Sequence, residues 1–557
     1  MQKQFHVKCA RCGQRALYGV PVSACEQCGH DWLDADYDLN AVARTWQAEL
    51  SSRPFAMWRY WELLPLEKSD NIVSMGEGGT PLLRAENLGL MLGHRHIYFK
   101  DERQGPTSSF KDRQASLAIS AFKEAGITEV VVASTGNVAI SYSAYCARAG
   151  IKLWAFLTST VPADKMREVA LYGTEVVKVT STYDRTKAVA TQFANHKGLV
   201  LDRGVRSIAA KESMKTVAFE VAEQLGQMMG DEGTGYGWRA PDWYVQAVSG
   251  GLGPVGVWKG FQELYQMGLI NKIPKLAIIQ ATGCAPMVNS FKAGLAEAEN
   301  VVDPQTRITT VATGSPGAVY PFLRNIILEH GGAMEAVTDD EAFHAMHVMA
   351  KMDGLSMEAA AAMACAGLFK LLGQQVIKPY EVVVVNVSGH TFPVEKHLLD
   401  GQRMHSVGTA EAVALTRPAA PREGLMTALN RLDGRVRRVA IIEDEADAAR
   451  LLRRILQSHG QYQIFEASNG REGLELIRRE RPDLILLDLM MPELDGFTLL
   501  EIVKEEEELR NVPVIVVTAK DLTPAEKRRL DGQVESLLQK GSFMEEDLLD
   551  NILGALG

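Results

Sequence analysis

Lys111 is the residue of this sequence whose position points most directly to chemistry. It lies in the stretch 106–113, near the start of a predicted helix and behind Ser108 and Ser109, whose hydroxyls can cap a helix N-terminus. A lysine there is either a solvated charge of the first turn or a shielded amine that forms a Schiff base with an aldehyde. Because surface lysines are abundant, Lys111 alone favours the solvated charge. Three stretches further along the chain change that balance.

The first of these stretches, 134–139, is predicted to be the turn between a strand and a helix. The N-terminus of a helix has free backbone N–H groups, so Ser134, Thr135 and Gly136 are candidates to bind an anion such as a substrate carboxylate. The side-chain amide of Asn137, which follows them, is a candidate to hydrogen-bond a phenolic oxygen.

The second stretch, 248–256, follows a predicted strand and opens a predicted helix. Its glycines would let the backbone approach a phosphate closely. The candidate residues for this phosphate site are Gly250, Gly251, Gly253 and Gly256. Their spacing is not the dinucleotide-binding fingerprint, which argues against NAD. In the third stretch, Ser388 places a hydroxyl at the carboxyl end of the predicted strand 382–387.

Each of these stretches, taken alone, is explained by a tight turn that serves packing. Together and in this order they offer an amine for an aldehyde, an amide for a ring oxygen, a cradle for a phosphate and a hydroxyl for a ring nitrogen. These are the contacts that pyridoxal phosphate needs. The sequence therefore predicts a pyridoxal phosphate site with Lys111 as its covalent partner.

Four of the seven cysteines form two Cys-x-x-Cys pairs separated by twelve residues. Two such pairs can close a tetrahedral zinc site, and four thiolates leave no open position for a substrate. The predicted zinc is therefore structural, and its ligands are Cys9, Cys12, Cys25 and Cys28. The alternatives are a redox pair and coincidence.

About the first 400 residues resemble threonine synthase, in the tryptophan-synthase-β-like group of pyridoxal phosphate enzymes. The cysteine pairs carry the resemblance, together with 76–82, 106–113, 134–139 and 250–256. It implies Lys111 as the cofactor lysine and proton shuttle. It further implies that Asn137 contacts the ring hydroxyl of the cofactor and that Ser388 contacts the ring nitrogen. The four glycines would surround the cofactor phosphate. The implied reaction converts O-phospho-L-homoserine and water to L-threonine and phosphate, and a homodimer is expected.

The chain departs from the family pattern in 207–216, where many members read Asn-Pro-x-Arg-x-x-Gly-x-Lys-Thr. Ala210 stands at the position of the family arginine, which leaves Arg206 or Lys211 to bind a substrate phosphate. Ser108 stands where glycine is common. Two other activities stay open: β-replacement on serine derivatives, as in cysteate or cysteine synthases, and dehydration of serine or threonine. A hypothesis of another class is a signalling protein that senses an amino acid without turning it over.

A second α/β pattern begins near residue 436, with five predicted strands at 438–442, 462–466, 483–487, 513–517 and 534–538. Acidic and polar residues follow these strands at the edge where ligands bind in such folds. They are Glu443, Asp444, Asp488, Thr518 and Lys540. Three carboxylates suit Mg²⁺, and a carboxylate beside the metal can accept a phosphoryl group.

This segment resembles a response-regulator receiver domain, most specifically in the run from Asp488 to Gly496. The resemblance implies Asp488 as the phosphoacceptor, Glu443 and Asp444 as magnesium ligands with it, and Thr518 and Lys540 as switch residues. It also implies a sensor histidine kinase or a phosphotransfer protein as partner.

The totals are those of a soluble globular protein of several domains, and the alternation of strand-like and helical stretches from about 97 to 400 predicts an α/β architecture with largely parallel sheets. The 557 residues are 46% hydrophobic and 23% charged, and the net charge of −10 argues against nucleic acid or an anionic membrane as the main partner. We predict a zinc ribbon at 1–40, a two-lobed fold-type-II catalytic domain at 41–405, a linker at 406–435 and a flavodoxin-like receiver domain at 436–557. Without a leader or a long apolar run, a cytoplasmic location is expected.

Overall fold

The structure is a computed structural model. It describes residues 5–18, 24–391, 404–408, 437–459, 462–518, 522–523, 526, 529–530 and 532–539. The chain divides into two compact units, Met1–Val413 and Ala414–Gly557, which are presented separately. Among the described residues, no helix combines the length and the apolar character that crossing a membrane requires. Lys540 and residues 409–435 of the predicted linker lie outside the described residues.

The strands of the two units are, in chain order, β1 (His6–Cys9), β2 (Arg15–Leu17), β3 (Leu33–Asp36), β4 (Leu82–Arg84), β5 (Ile97–Asp101), β6 (Glu129–Ser134), β7 (Lys152–Thr158), β8 (Glu175–Thr180), β9 (Val200–Leu201), β10 (Trp243–Ala247), β11 (Lys275–Ala281), β12 (Gly332–Val337), β13 (Val383–Val387), β14 (Met404–Gly408), β15 (Arg438–Ile442), β16 (Gln463–Ala467), β17 (Leu484–Leu487), β18 (Val514–Thr518) and β19 (Ser536–Gln539).

The α-helices are α1 (Leu39–Glu49), α2 (Glu86–Leu92), α3 (Lys111–Glu124), α4 (Asn137–Ala149), α5 (Ala163–Leu171), α6 (Tyr183–Lys197), α7 (Ile208–Ser213), α8 (Lys215–Met229), α9 (Leu252–Gln266), α10 (Pro286–Lys292), α11 (Val319–His330), α12 (Asp339–Asp353), α13 (Ala359–Gly373), α14 (Ala446–His459), α15 (Gly470–Glu480) and α16 (Gly496–Glu505). Short 3-10 turns connect several of them.

The first unit starts with a three-stranded antiparallel sheet in the order β2-β1-β3. The cysteine pairs lie at its loops, and Cys9 ends β1. A small core of Phe5, Val7, Leu33 and Ala35 packs beneath it. This is the ribbon that the cysteine spacing predicts.

One lobe of the unit is a parallel sheet in the order β14-β8-β7-β6-β9. Helices α3 and α4 cover one face and α6 covers the other, so the strands are apolar on both sides. Strand β14 pairs with the edge strand β8. The predicted linker at 406–435 therefore begins too early, because residues 406–408 are hydrogen-bonded within this sheet.

The other lobe is a six-stranded sheet in the order β12-β11-β10-β13-β5-β4, in which only β4 is antiparallel to its neighbour. Helices α8, α9 and α11 cover one face, and α12 and α13 cover the other. All five residues of β13 are buried. The neighbours β10 and β13 run parallel, so the segments after Ala247 and Val387 leave the sheet at the same edge.

The second unit is a parallel five-stranded sheet in the order β16-β15-β17-β18-β19. Apolar cores lie on both of its faces, one of them against α15 and α16 and the other against α14. This is the doubly wound, flavodoxin-like order that the sequence predicts. The carboxyl ends of β15, β17 and β18 are neighbours at one edge.

Candidate active site

Lys111 is the first residue of α3, and its side chain is half-buried. Its Nζ lies 4.1 Å from the centre of the Phe110 ring. No described residue hydrogen-bonds to this Nζ. Burial lowers the pKa of Lys111 to about 8, although the charge of Glu358 acts in the opposite direction. About a tenth of the amine is therefore uncharged at pH 7, far more than for an exposed lysine, and the uncharged amine is the nucleophile.

The amine of Lys111 opens into a cavity of about 630 Å³ between the two lobes of the first unit. The cavity brings together parts of all four stretches that the sequence singled out. The predicted site residues that line it are Lys111, Ser134, Thr135, Asn137, Gly250, Gly251, Gly253 and Ser388. Gly136 and Gly256 are not among the lining residues.

The turn before Lys111 is fixed to the end of β13. The backbone N–H of Phe110 donates to the Ser388 hydroxyl at 3.1 Å, and the N–H of Gly389 donates to the Ser108 carbonyl at 3.0 Å. Ser108 has a φ of 56°, in the left-handed region that favours glycine. This backbone conformation explains why glycine is common at the position of Ser108. These contacts hold Lys111 beside Ser388.

The glycine loop opens α9, and Gly251 precedes the helix with a φ of 82°. A Cβ atom at Gly251 would lie 2.6 Å from Val319 Cγ1, whereas a Cβ at Gly250 would meet no atom within 4 Å. Gly250 therefore faces the open space of the cavity. The free N–H groups of the first turn of α9 make this a suitable place for a phosphate.

Gly256 serves a different purpose from the other glycines of this loop. A Cβ atom there would lie 2.4 Å from the Lys211 carbonyl oxygen and 2.5 Å from Met214 Cβ. Gly256 is one turn inside α9, where it allows α9 to approach α7. The structure thus places it in helix packing and outside the cavity lining.

Asn137 belongs to a polar cluster that bridges the two lobes. Its Nδ2 donates to Glu358 Oε1 at 2.6 Å, and Lys165 Nζ donates to Asn137 Oδ1 at 2.6 Å. Lys165 and Glu358 form an ion pair at 2.6 Å. The sequence analysis missed Glu358 and Lys165, because neither belongs to a motif or follows a periodic pattern.

The hydroxyls of the 134–136 turn are engaged with the protein itself. Ser134 Oγ accepts hydrogen bonds from the N–H groups of Gly136 at 3.0 Å and Ala139 at 3.2 Å. Thr135 Oγ1 donates to the Thr310 carbonyl at 2.9 Å. These bonds shape the N-terminus of α4, so an anion at this turn would be bound by backbone N–H groups.

A buried cluster of four charges underlies the start of α3. Arg113 Nη2 lies 2.8 Å from Glu102 Oε1, and Arg113 Nη1 lies 2.6 Å from Glu220 Oε1. The second oxygen of Glu220 accepts from Lys100 Nζ at 2.6 Å. Two positive and two negative side chains therefore balance in a region without water access. This cluster accounts for the arginine that follows Lys111 by two residues, because Arg113 anchors the helix that presents the amine.

The four cysteines of the ribbon lie close enough to share one ion. Their Sγ atoms are all within 4.8 Å of one another, with Cys9–Cys28 and Cys12–Cys25 at 3.6 Å. Zinc bound tetrahedrally by sulfur at about 2.3 Å gives sulfur–sulfur distances of roughly 3.8 Å, so the arrangement fits zinc. The backbone N–H of Cys12 lowers the pKa of Cys9 to about 7. The pKa of Cys12 is raised: the backbone N–H of Gln14 acts to lower it, but burial and the three neighbouring thiols outweigh that effect.

In the second unit the structure brings three predicted carboxylates together. Oxygen atoms of Glu443, Asp444 and Asp488 lie within 4.8 Å of one another. Glu443 and Asp488 are buried, whereas Asp444 is exposed, and Thr518 ends the neighbouring strand β18. Oxygen ligands at a partly open edge fit Mg²⁺, which retains water molecules.

Comparison with known proteins agrees with this geometry. Residues 73–389 match the family model "Pyridoxal-phosphate dependent enzyme", and residues 439–553 match "Response regulator receiver domain". The threonine synthase of Methanocaldococcus jannaschii is 34% identical over 69% of this chain and 91% of its own length. That of Methanosarcina acetivorans is 30% identical over 71% of this chain and 94% of its own length. The threonine synthase of Mycobacterium bovis is 31% identical over 60% of this chain and 88% of its own length.

These matches cover both units, and they fall on the cavity of the first unit and the carboxylate edge of the second. The chain therefore belongs to the pyridoxal-phosphate dependent enzyme family, as a lyase-type homologue of threonine synthases, and it carries a response regulator receiver domain.

Proposed function

We propose that this protein converts O-phospho-L-homoserine and water to L-threonine and phosphate. The observation that carries the proposal is the cavity itself, where an amine with a pKa of about 8 and a glycine-lined helix N-terminus face the same space. The curated relatives described above are threonine synthases, which supports this substrate over others of the family.

The residues around the cavity fit pyridoxal phosphate. Gly250 leaves open space where a side chain would intrude, which suits a phosphate held by backbone N–H groups. Lys111 would bind the aldehyde, and Asn137 and Ser388 would contact the ring hydroxyl and the ring nitrogen. When bound, the cofactor stores the electron pair left by a departing proton. A neutral hydroxyl at Ser388 would leave the ring nitrogen unprotonated.

The chain's own groups would then do the following. The turn at 134–136 would bind the substrate carboxylate through its N–H groups. Lys111, with its amine free, would take a proton from Cα and then one from Cβ as a general base with a pKa near the working pH. The bond between Cγ and the phosphate oxygen would break, and Lys111 would return its two protons, one to Cγ and one to Cα. Water would add its hydroxyl at Cβ and give its remaining proton to the released phosphate.

A direct assay tests the reaction and separates it from the alternatives. Holoenzyme is incubated with O-phospho-L-homoserine, and released phosphate and the amino-acid product are identified. We expect equal amounts of phosphate and L-threonine, and no product from Lys111→Ala. A product formed only from serine derivatives and a sulfur nucleophile would favour β-replacement, and a 2-oxo acid would indicate dehydration. A cofactor spectrum that responds to an amino acid without any product would favour the sensor.

We further propose that the receiver domain regulates this activity by phosphorylation of Asp488, with a sensor histidine kinase or a phosphotransfer protein as donor. Glu443, Asp444 and Asp488 would hold Mg²⁺, and Thr518 and Lys540 would respond to the phosphoryl group. Turnover of the wild type is compared with and without acetyl phosphate, alongside Asp488→Asn. We expect the donor to change the rate of the wild type alone, and equal rates throughout would contradict regulation.

The remaining proposals concern organisation. We propose that the ribbon at 1–40 binds structural zinc, that the catalytic domain from residue 41 extends to Gly408 because of β14, and that the receiver domain occupies 436–557. A homodimer and a cytoplasmic location are proposed as well, the latter because four free thiols for zinc suit a reducing compartment.

A further inference from the structure

The cavity lining also has a cationic region, which lies beside the start of α9, because Val205 packs against a buried cluster that contains Leu252. The lysine and arginine side chains among its described lining residues are Lys111, Lys187, Arg203 and Arg206. Lys111 is the proposed cofactor amine, so the other three are the candidates to bind a second anion. Two of the three come from the loop 203–206, which connects β9 to α7.

The three cationic side chains of this region differ in whether they already form an ion pair. Lys187 pairs with Asp184 at 2.8 Å, and Arg206 Nη1 pairs with Asp31 at 2.9 Å. Arg203 is exposed, and among the described residues none forms an ion pair or a side-chain hydrogen bond with its guanidinium. Its unused donors make it the strongest anion-binding group of this region, because a guanidinium can hold a phosphate through two parallel hydrogen bonds.

The lining carboxylate that precedes Arg203 in the sequence is engaged elsewhere. Asp202 is buried and accepts hydrogen bonds from the Tyr142 hydroxyl at 2.8 Å and the Gly204 N–H at 2.7 Å. Burial raises its pKa, and the carboxyl is held inside the lobe. The other lining carboxylate, Glu358, is paired with Lys165.

The helix that follows this loop supplies no cation to the cavity. Ala210 is buried in a small cluster with Met214 and Leu252. The ammonium of Lys211 is buried away from the cavity, 2.5 Å from Asp34 Oδ1 and 2.8 Å from the Leu33 carbonyl oxygen. Of the two replacements that the sequence left open for an arginine at position 210, Lys211 is therefore unavailable.

We propose that Arg203, assisted by Arg206, binds the distal phosphate of the substrate and so determines specificity for a phosphorylated amino acid. This inference rests on the proposed function for its substrate, but the anion site can be tested without turnover. Asp31 acts as a positioning residue, because its ion pair fixes Arg206 from the ribbon side, three residues after Cys28.

The test compares Arg203→Gln and Arg206→Gln with Arg148→Gln, which removes an exposed positive charge from α4 outside the cavity lining. For each holoenzyme, the KM for O-phospho-L-homoserine and the Kd for inorganic phosphate are measured, together with the Kd for pyridoxal phosphate. We expect Arg203→Gln to raise both phosphate-dependent constants about 10-fold or more, since charge-assisted hydrogen bonds are lost. Arg206→Gln should raise the KM for O-phospho-L-homoserine and the Kd for phosphate by a smaller factor. In both variants the Kd for pyridoxal phosphate should stay within about twofold of the wild-type value.

Different outcomes separate the two proposals. If wild-type holoenzyme binds inorganic phosphate and Arg203→Gln does not, the anion site stands even when O-phospho-L-homoserine is not a substrate, and only the proposed reaction fails. If phosphate does not bind wild-type holoenzyme, or if Arg148→Gln weakens binding as much as Arg203→Gln, the assignment of Arg203 is overturned. Calorimetry of the holoenzyme with phosphate gives this readout independently of activity.

Discussion

The buried carboxylate of Glu220 offers a direct test of how the start of α3 is held in place. Its two oxygens contact Arg113 and Lys100, each at 2.6 Å, and all three side chains are almost fully buried. Glu220→Gln would leave two buried positive charges opposite the single carboxylate of Glu102. An unbalanced charge in such a region is strongly destabilising.

The size of the effect follows from the pKa of Glu220. Burial raises this pKa, but the charges of Arg113 and Lys100 outweigh burial and lower it from 4.5 to about 2. A lowering of that size corresponds to about 3 kcal/mol of free energy of unfolding. We therefore expect Glu220→Gln to reduce the free energy of unfolding by about 3 kcal/mol, within the usual range for breaking a buried pair.

Denaturant unfolding of the holoenzyme, followed by tryptophan fluorescence, measures the change. The matched control is Glu49→Gln, which breaks an exposed pair with Arg53 and should cost less than about 1 kcal/mol. The double variant Lys100→Met/Glu220→Gln restores charge balance and should recover part of the loss.

The pH dependence of the Glu220 effect supplies a second check. Since the folded pKa of Glu220 lies below its unfolded value, its stabilisation is fully present above about pH 4.5 and is lost as the pH falls towards 2. The difference between wild type and Glu220→Gln should shrink over that interval. A variant no less stable than Glu49→Gln at pH 7 would refute the reasoning.

Three further predictions concern the cavity. Gly250→Ala should weaken pyridoxal phosphate binding without lowering the stability of the apoprotein, because its Cβ meets no protein atom, whereas Gly251→Ala should lower both cofactor affinity and apoprotein stability. Cofactor titration and thermal unfolding measure the two quantities, and equal effects of the two variants would contradict a phosphate site at Gly250. Glu358→Gln should lower the pKa of Lys111 below about 8, because the negative charge of Glu358 favours the ammonium form. The acidic limb of the kcat–pH profile should then move to lower pH, and an unmoved limb would count against Lys111 as the general base. Ser108→Gly should raise the free energy of unfolding by up to about 1 kcal/mol by relieving its positive φ, and a loss of stability would contradict that strain.

Much of the site could be predicted because it depends on local turns and on the rule that parallel strands end at one edge. Ser388 and Gly250 follow β13 and β10, which are neighbours in the sheet, so their meeting follows from topology. The predicted receiver strands agree with the observed strands to within two residues at each end, because short apolar runs alternate with helices in this segment.

Other features depend on tertiary contacts that leave no local pattern. Glu358 precedes an alanine-rich helix and Lys165 lies on α5, both far from Asn137 in the sequence. Their contacts with Asn137 therefore become evident only in the folded structure. Strand β14 carries little β-branched character and forms against β8 from far along the chain. Gly256 belongs to a glycine-rich loop by sequence, but helix geometry turns it towards α7.

The ribbon also limits how this chain can be shortened. Its last strand supplies the carbonyl oxygens of Leu33 and Ala35 to Lys211 and Lys259, both at 2.8 Å, and the Ala35 N–H to Glu212 at 3.4 Å. Removing the ribbon would expose Ile208 of α7, which packs in the core of the ribbon, and would remove hydrogen bonds from buried charged groups. A truncated chain that starts after Asp36 should therefore have a lower free energy of unfolding than the full chain, even though Lys111 lies far downstream.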